Sequence, residues 1–431
     1  MAGSAAGRSS GLDGPERGQS ELPPSGPGGS FFALPIRVAG ELMAQEIPKN
    51  RLHLPNLTIT GFRGIGELSI GRLGRVTLLT GNNGVGKTTV FEAVRVFAAR
   101  GRHSALSSLL RDRDEYAADA DGDDDKVPDK IRALDFAALF FGRSLPEKRI
   151  AIGPVAAAHQ LTIEEVALAE EQLSLIEGLI PELPSDGSVQ ALMCHFEGTE
   201  QILPFFSIDE GSPADGRYTM AQAHAARILK RAMGADMSPP EIRCRSLGPG
   251  LLANDEIARL WDAVALTDDE DAAVNALRLV VGDGVHRATT VADHPRYRRR
   301  TRPIVRFKSD PAPVPLKSLG DGAVRLFGVA LALANSRSGF LVIDEAENGI
   351  HHSVQKRFWR MVLETAEANN VQVLATTHSR DCVEGFARAA TECQDIEGAL
   401  ARINRRNGET WAVEYSEDDM RVVAKQGIEV R

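Results

Sequence analysis

Apolar and polar positions along this chain change period several times, and each change marks an element. Leu57-Thr58-Ile59-Thr60 alternates as a half-buried strand does, and Glu67-Leu68-Ser69-Ile70 reads as a returning strand. Gly61-Phe62-Arg63-Gly64 between them reads as a turn. Val76-Thr77-Leu78-Leu79-Thr80 has the pattern of a strand buried on both faces. Val90, Phe91, Val94 and Phe97 then fall on one helical stripe. Much later, an apolar helix carries Val324, Phe327, Leu331 and Ala334. Two further buried strands follow it, Phe340-Leu341-Val342-Ile343 and Val371-Gln372-Val373-Leu374-Ala375-Thr376. Strands alternating with helices predict an α/β fold with a mixed sheet, the antiparallel layer lying near the N-terminus.

Between these halves the signal is less regular. Apolar runs within Leu134–Ile152 and Val189–Ile208 predict short strands. Val166, Leu173, Ile176 and Ile180 predict a helix over Leu161–Ile180, ended by Pro181. Met220–Met233, Asp255–Val264 and Asp268–Val281 predict further helices. Arg111–Lys130, with Asp121-Gly122-Asp123-Asp124-Asp125 at its heart, reads as a solvated acidic loop. No internal repeat and no sustained heptad is found. Residues 1–50, rich in Gly, Ser, Pro and Ala, cannot bury a core and are expected to form a disordered tail. Met43 is an alternative start. The expected organisation is therefore this tail, a first part of the core at 51–101, a largely helical insertion at 102–240, and the rest of the core at 241–431.

Composition narrows the class. Hydrophobic residues at 43% and charged residues at 25% suit a globular protein. A formal net charge of -9 excludes a protein that coats nucleic acid by bulk charge, while leaving room for a local basic patch. The four cysteines form no CxxC pair, which fits a reducing cytoplasm and neither a disulfide framework nor a zinc site. No apolar run is long enough for a bilayer and no secretion signal is seen, so a cytoplasmic protein without a membrane partner is expected.

Candidate chemistry sits at the strand ends. Gly81-Asn82-Asn83-Gly84-Val85-Gly86-Lys87-Thr88 lies between the buried strand and the helical stripe, the setting a phosphate-binding P-loop needs. Its glycines let N–H groups turn toward phosphate oxygens at a helix N-terminus. Lys87 can reach the β/γ-phosphates, and the Thr88 hydroxyl can hold Mg²⁺. Asp344 and Glu345 close another buried strand, so Asp344 is a candidate for Mg²⁺ and Glu345 for the general base that polarises water. Thr377-His378-Ser379 ends the next strand, where His378 can face a γ-phosphate. Lys317-Ser318-Leu319-Gly320-Asp321-Gly322 opens the apolar helix as a second anion site. It needs its own helix, so its natural target is a γ-phosphate held by another copy of the chain. The plain alternative is a helix cap with Asp321 as N-cap.

These motifs, in this order, resemble the ABC-type ATPase superfamily. With Ile59-Thr60-Gly61-Phe62-Arg63-Gly64-Ile65 ahead of the P-loop, they resemble its RecF/OLD/SMC branch. Ser318-Leu319-Gly320-Asp321-Gly322, Ile343-Asp344-Glu345-Ala346-Glu347-Asn348-Gly349-Ile350-His351 and Ala375-Thr376-Thr377-His378-Ser379 look like the stand-alone AAA-type ATPases of the OLD-like group. So does the closing Gly427-Ile428-Glu429-Val430-Arg431. The resemblance covers residues 55–100 and 240–431 and leaves the insertion unmatched. It implies a P-loop NTPase fold, Mg²⁺-dependent ATP hydrolysis and a head-to-tail homodimer or higher homo-oligomer around ATP. It also implies action on nucleic acid with a separately encoded TOPRIM-type nuclease or other effector, in phage defence or DNA maintenance. On the residues, it implies Gly81, Gly84, Gly86, Lys87, Thr88 and Thr89 around phosphate and Mg²⁺, and Asp344 with Glu345 as the acidic pair. Ser318 and Gly320 would act in trans, His378 as switch, Asn348–His351 against the opposite protomer, and Arg63 near the nucleotide. Lys317, Leu319 and Asp321 depart from the transporter-type signature, and no glutamine can be placed in a Q-loop.

Other readings remain. A slow nucleotide-sensing switch that holds or releases a toxin or effector would use the same motifs. A transporter subunit fits the insertion and the departed signature poorly, and no Asn-Lys-x-Asp motif supports a GTPase. The basic cluster Asp293–Arg302 reads either as a solvated hairpin face or as a phosphate-backbone contact. His351-His352 does not suit one metal ion, and Cys382 near His378 lacks an activating third group. After the C-terminal part of the core, no segment that could house a TOPRIM nuclease domain is expected.

Overall fold

The strands of the central sheet are apolar on both faces because helices cover one face, and a helix with a second sheet covers the other. A computed structural model describes residues 52–116, 134–145, 148–176, 190–204, 228, 240–292, 301–310 and 312–426. The expected tail, the heart of the acidic loop, the run Met220–Met233 apart from residue 228, and most of the basic cluster lie outside these residues.

The first part of the core contains β1 (Leu57–Phe62), β2 (Ile65–Ile70), β3 (Val76–Thr80) and α1 (Lys87–Ala98). Next come α2 (His103–Arg111), β4 (Arg149–Gly153), β5 (Leu161–Ala167), α3 (Glu170–Ile176), β6 (Gln190–Phe196) and β7 (Thr199–Pro204). The chain continues through β8 (Cys244–Leu247), α4 (Asn254–Asp262), α5 (Asp268–Val281), β9 (Val285–Ala292), β10 (Thr301–Phe307) and β11 (Val314–Pro315). It then forms α6 (Asp321–Ala334), β12 (Phe340–Ile343), α7 (Gln355–Ala368), β13 (Gln372–Thr376) and α8 (Arg380–Glu392). β14 (Gly398–Arg406), β15 (Glu409–Tyr415) and α9 (Glu417–Gln426) complete it.

The central sheet has the order β15-β14-β3-β13-β12-β8. It is parallel from β14 to β8, with β15 as an antiparallel edge. Side chains alternate between its faces. Val373 and Ala375 pack toward α7 and α8, while Leu374 packs toward α1 and the second sheet. That second sheet, β2-β1-β4-β5-β6-β7, is antiparallel throughout. The described residues of the insertion thus extend the β1–β2 hairpin by four strands, beside the helices α2 and α3. A smaller sheet, β11-β10-β9, packs with α4, α5 and one side of α6. No helix among the described residues is long and apolar enough to cross a membrane.

Leu161–Ile180 differs from its expected helix. Leu161–Ala167 is a strand, and among the described residues of this run the helix is Glu170–Ile176. Strand β5 pairs with β4 on one side and β6 on the other, so its backbone bonds are satisfied across the sheet while Leu161 and Ile163 are buried. Helical spacing built on Val166, Leu173 and Ile176 bridged two elements.

Candidate functional site

Strand β3 delivers the P-loop between its neighbours β14 and β13. Gly81 takes φ 142°. A Cβ there would lie 2.3 Å from the Ile403 carbonyl oxygen, so β14 packs too closely for any side chain. Gly86 takes φ 106° as the N-cap of α1, and no side chain caps that helix. A helix opened this way offers main-chain N–H groups and the positive end of its dipole to an anion. Lys87 is buried, and its Nζ donates to the carbonyls of Gly81 at 2.6 Å and Asn82 at 2.8 Å. Burial pushes its ammonium below the usual range, and the nearby Asp344, Glu345 and Glu347 oppose that shift. Asn82, Asn83, Gly84 and Thr88 are exposed, Thr89 is half-buried, and Val85 anchors the loop in the core.

Strand β13 lies between β3 and β12, and it joins the two halves of the site. The Thr376 hydroxyl donates to Asp344 Oδ1 at 2.5 Å and accepts from the Glu345 N–H at 2.9 Å. One residue on, β13 gives way to the turn that carries His378. Its Nδ1 is 3.5 Å from Lys87 Nζ, and its Nε2 is 3.8 Å from Glu345 Oε1. The His378 N–H donates to Glu347 Oε1 at 2.8 Å. The structure therefore brings Lys87, Asp344, Glu345 and His378 into one cluster. Glu345 takes φ 47°, a left-handed conformation that costs a non-glycine residue about 1–3 kcal/mol.

Ser318 and Gly320 stand exposed at the N-terminus of α6. Among the described residues no hydrogen bond links them to the P-loop. Arg63 pairs at 3.4 Å with Glu92 on α1, which also binds Arg113. Its turn lies near the loop all the same, since a Cβ on Gly86 would be 3.6 Å from Ile65 at the start of β2. Thr376, Glu347 and Arg325 are members of the cluster that sequence reasoning did not single out. Arg325 donates to the main-chain carbonyls of Asp344 and Glu345. Asn348, expected against an opposite protomer, bonds Glu345 Oε2 at 2.7 Å within this chain.

Residues 56–119, which hold β1, the P-loop and α1, match a family model described as "AAA domain". Residues 302–381, from the small sheet through His378, match one described as "AAA domain, putative AbiEii toxin, Type IV TA system". The uncharacterized protein MJECL11 of Methanocaldococcus jannaschii is 34% identical over 91 residues, 21% of this chain and 78% of that protein. The chain belongs to the AAA-domain P-loop ATPases. The two matches fall on the two halves that β13 joins, so this AAA-domain ATPase carries its nucleotide-binding elements on either side of the insertion.

Solved structures show a looser likeness. One SMC head bound to the C-terminal winged-helix domain of ScpA is 14% identical, with a TM-score of 0.45, covering 86% of this chain and 100% of that one. The SMC head domain from Thermotoga maritima is 15% identical, with a TM-score of 0.39, covering 85% and 100%. Likeness at this level carries no argument about activity or partners.

Proposed function

We propose that this ATPase binds ATP with Mg²⁺ and hydrolyses it as a head-to-tail dimer. The observation that carries the reading is the cluster formed by Lys87, Asp344, Glu345 and His378 where β3, β12 and β13 end together. The loop glycines and the α1 N-terminus would hold the phosphates. Lys87 would exchange its carbonyl contacts for β/γ-phosphate oxygens, and Glu345 would take the proton of the attacking water. His378, between Lys87 and Glu345, would orient that water against the γ-phosphate. The donor set suits a hard cation: the Thr88 hydroxyl stands exposed at the loop, and Thr376 fixes the Asp344 carboxylate. Mg²⁺ held there with the nucleotide would offset phosphate charge. Ser318 and Gly320, exposed and apart from the P-loop, would close over the γ-phosphate of a second copy. The biological output proposed is work on nucleic acid with a separate nuclease or effector, in phage defence or DNA maintenance.

The family description over residues 302–381 favours a second reading, a slow switch that holds or releases a toxin. Steady-state ATP turnover of the full chain and of Glu345→Gln, with mass in solution, separates them. The first reading expects a wild-type enzyme whose turnover needs Mg²⁺ and stops when it is chelated, and an inactive variant trapped as an ATP-dependent dimer. Stimulation by added DNA would identify nucleic acid as the target. Absence of turnover in both, with a mass indifferent to ATP, would leave the switch.

A further inference from the structure

Three separate parts of the chain meet behind Glu345. Arg325, in the second turn of α6, is 4% exposed, and its guanidinium donates to main-chain carbonyls. Nη1 reaches Gly248 at 2.6 Å and Gly250 at 3.0 Å, in the segment after β8. Nη2 reaches Asp344 at 2.7 Å and Glu345 at 3.2 Å, in the turn after β12. Asn348 spans the same gap, donating to Glu345 Oε2 at 2.7 Å and to the Pro249 carbonyl at 3.2 Å.

The residue type is out of keeping with its helix. Every α6 residue from Ala323 to Ala334 is buried, and Arg325 is the charged one among them. Burial lowers its guanidinium below the usual range, against the pull of Glu347, Asp344 and Glu345. An apolar side chain would escape that desolvation cost but would leave the four carbonyl oxygens without this donor. Its Nη donors go to carbonyl oxygens of the segment after β8 and of the turn that carries the acidic pair. The helix and the turn are also locked main chain to main chain. A Cβ on Gly322 would lie 2.7 Å from the Gly349 carbonyl oxygen.

We propose that Arg325 is a positioning residue for Glu345, with Asn348 as its second strut. This rests on the reading that Glu345 is the general base. Helix α6 starts at the Ser318–Gly320 loop and holds Glu345 one turn further along. A shift of that loop on engaging a phosphate is thereby passed to the Glu345 main chain through Arg325, while Asn348 holds the carboxylate. Binding of ATP depends on the P-loop and not on this tie, so the tie acts on the chemical step.

The test compares Arg325→Gln, Arg325→Lys and Asn348→Ala with the wild type and Glu345→Gln, all as the full chain. Melting temperature, KM for ATP, kcat and ATP-dependent mass are measured. The expected result is a kcat lowered about 10- to 100-fold, with KM within about threefold and the ATP-dependent dimer retained. A merely structural role would move KM, dimer and melting together. Lysine keeps the charge but cannot fork between the two segments, so Arg325→Lys is expected to stay slow. Unchanged kcat in Arg325→Gln or Asn348→Ala overturns the proposal, as does loss of ATP binding in step with kcat. Should the Arg325 variants fail to fold, Asn348→Ala, altered at a half-buried loop position, decides alone. A Glu345→Gln protein with wild-type turnover would instead remove the base, and the positioning role with it.

Discussion

Lys87 spends its hydrogen bonds on the carbonyls of its own loop, so its charge is held where a phosphate would arrive. Lys87→Ala is expected to weaken ATP binding by about 10- to 100-fold, the worth of one charge-assisted hydrogen bond, measured by calorimetry with a non-hydrolysable analogue. Thr376→Val removes the bond that fixes Asp344 while keeping the shape of the side chain. It should raise the Mg²⁺ concentration needed for half-maximal turnover and cost about 1–3 kcal/mol of stability, read from denaturant melts. Burial pushes the Cys194 thiol up to about 12 and raises that of the buried Cys382 as well. Neither should be alkylated by iodoacetamide at pH 8 until the protein is denatured, as peptide mass spectrometry would show. At this scale the P-loop was legible because its glycines and lysine lie within eight consecutive positions. Thr376 and Arg325 were not, because their partners are fixed by strand order and not by local spacing.

Elements were legible where burial is two-sided or strictly periodic. Strands β3, β12 and β13 read as continuous apolar runs because both of their faces are covered. Strand β5 was misread because its apolar face stops at Ile163 and helix α3 begins three residues after its end, so one helical template fitted parts of both. The contact between α6 and the turn after β12 had no sequence signal beyond two glycines. Gly322→Ala tests that contact. Its Cβ would meet the Gly349 carbonyl at 2.7 Å, so the two segments must part, at a cost of about 1–3 kcal/mol. Turnover should fall further than the loss of folded protein explains, measured as kcat per folded molecule well below the melting transition.

At the scale of the whole molecule, the α/β class could be read from the chain. The extent of the antiparallel layer could not, since β4 joins β1 only after the P-loop, α1 and α2 have intervened in the chain. The same feature governs how the site is assembled over time. β3 lies in the N-terminal quarter, yet its sheet neighbours are β13 and β14, near the other end. Leu54 and Gln372, which bond each other beside it, are 318 positions apart. A ribosome must therefore release the chain through β13 and β14 before the P-loop has a sheet to stand on. The early chain holds an apolar strand and helix with no partners, a state prone to aggregation and to chaperone capture. A nascent chain arrested before residue 372 should not retain ATP, and one arrested with residue 406 clear of the exit tunnel should. Nucleotide retention on stalled ribosomes would thus time the closing of the sheet.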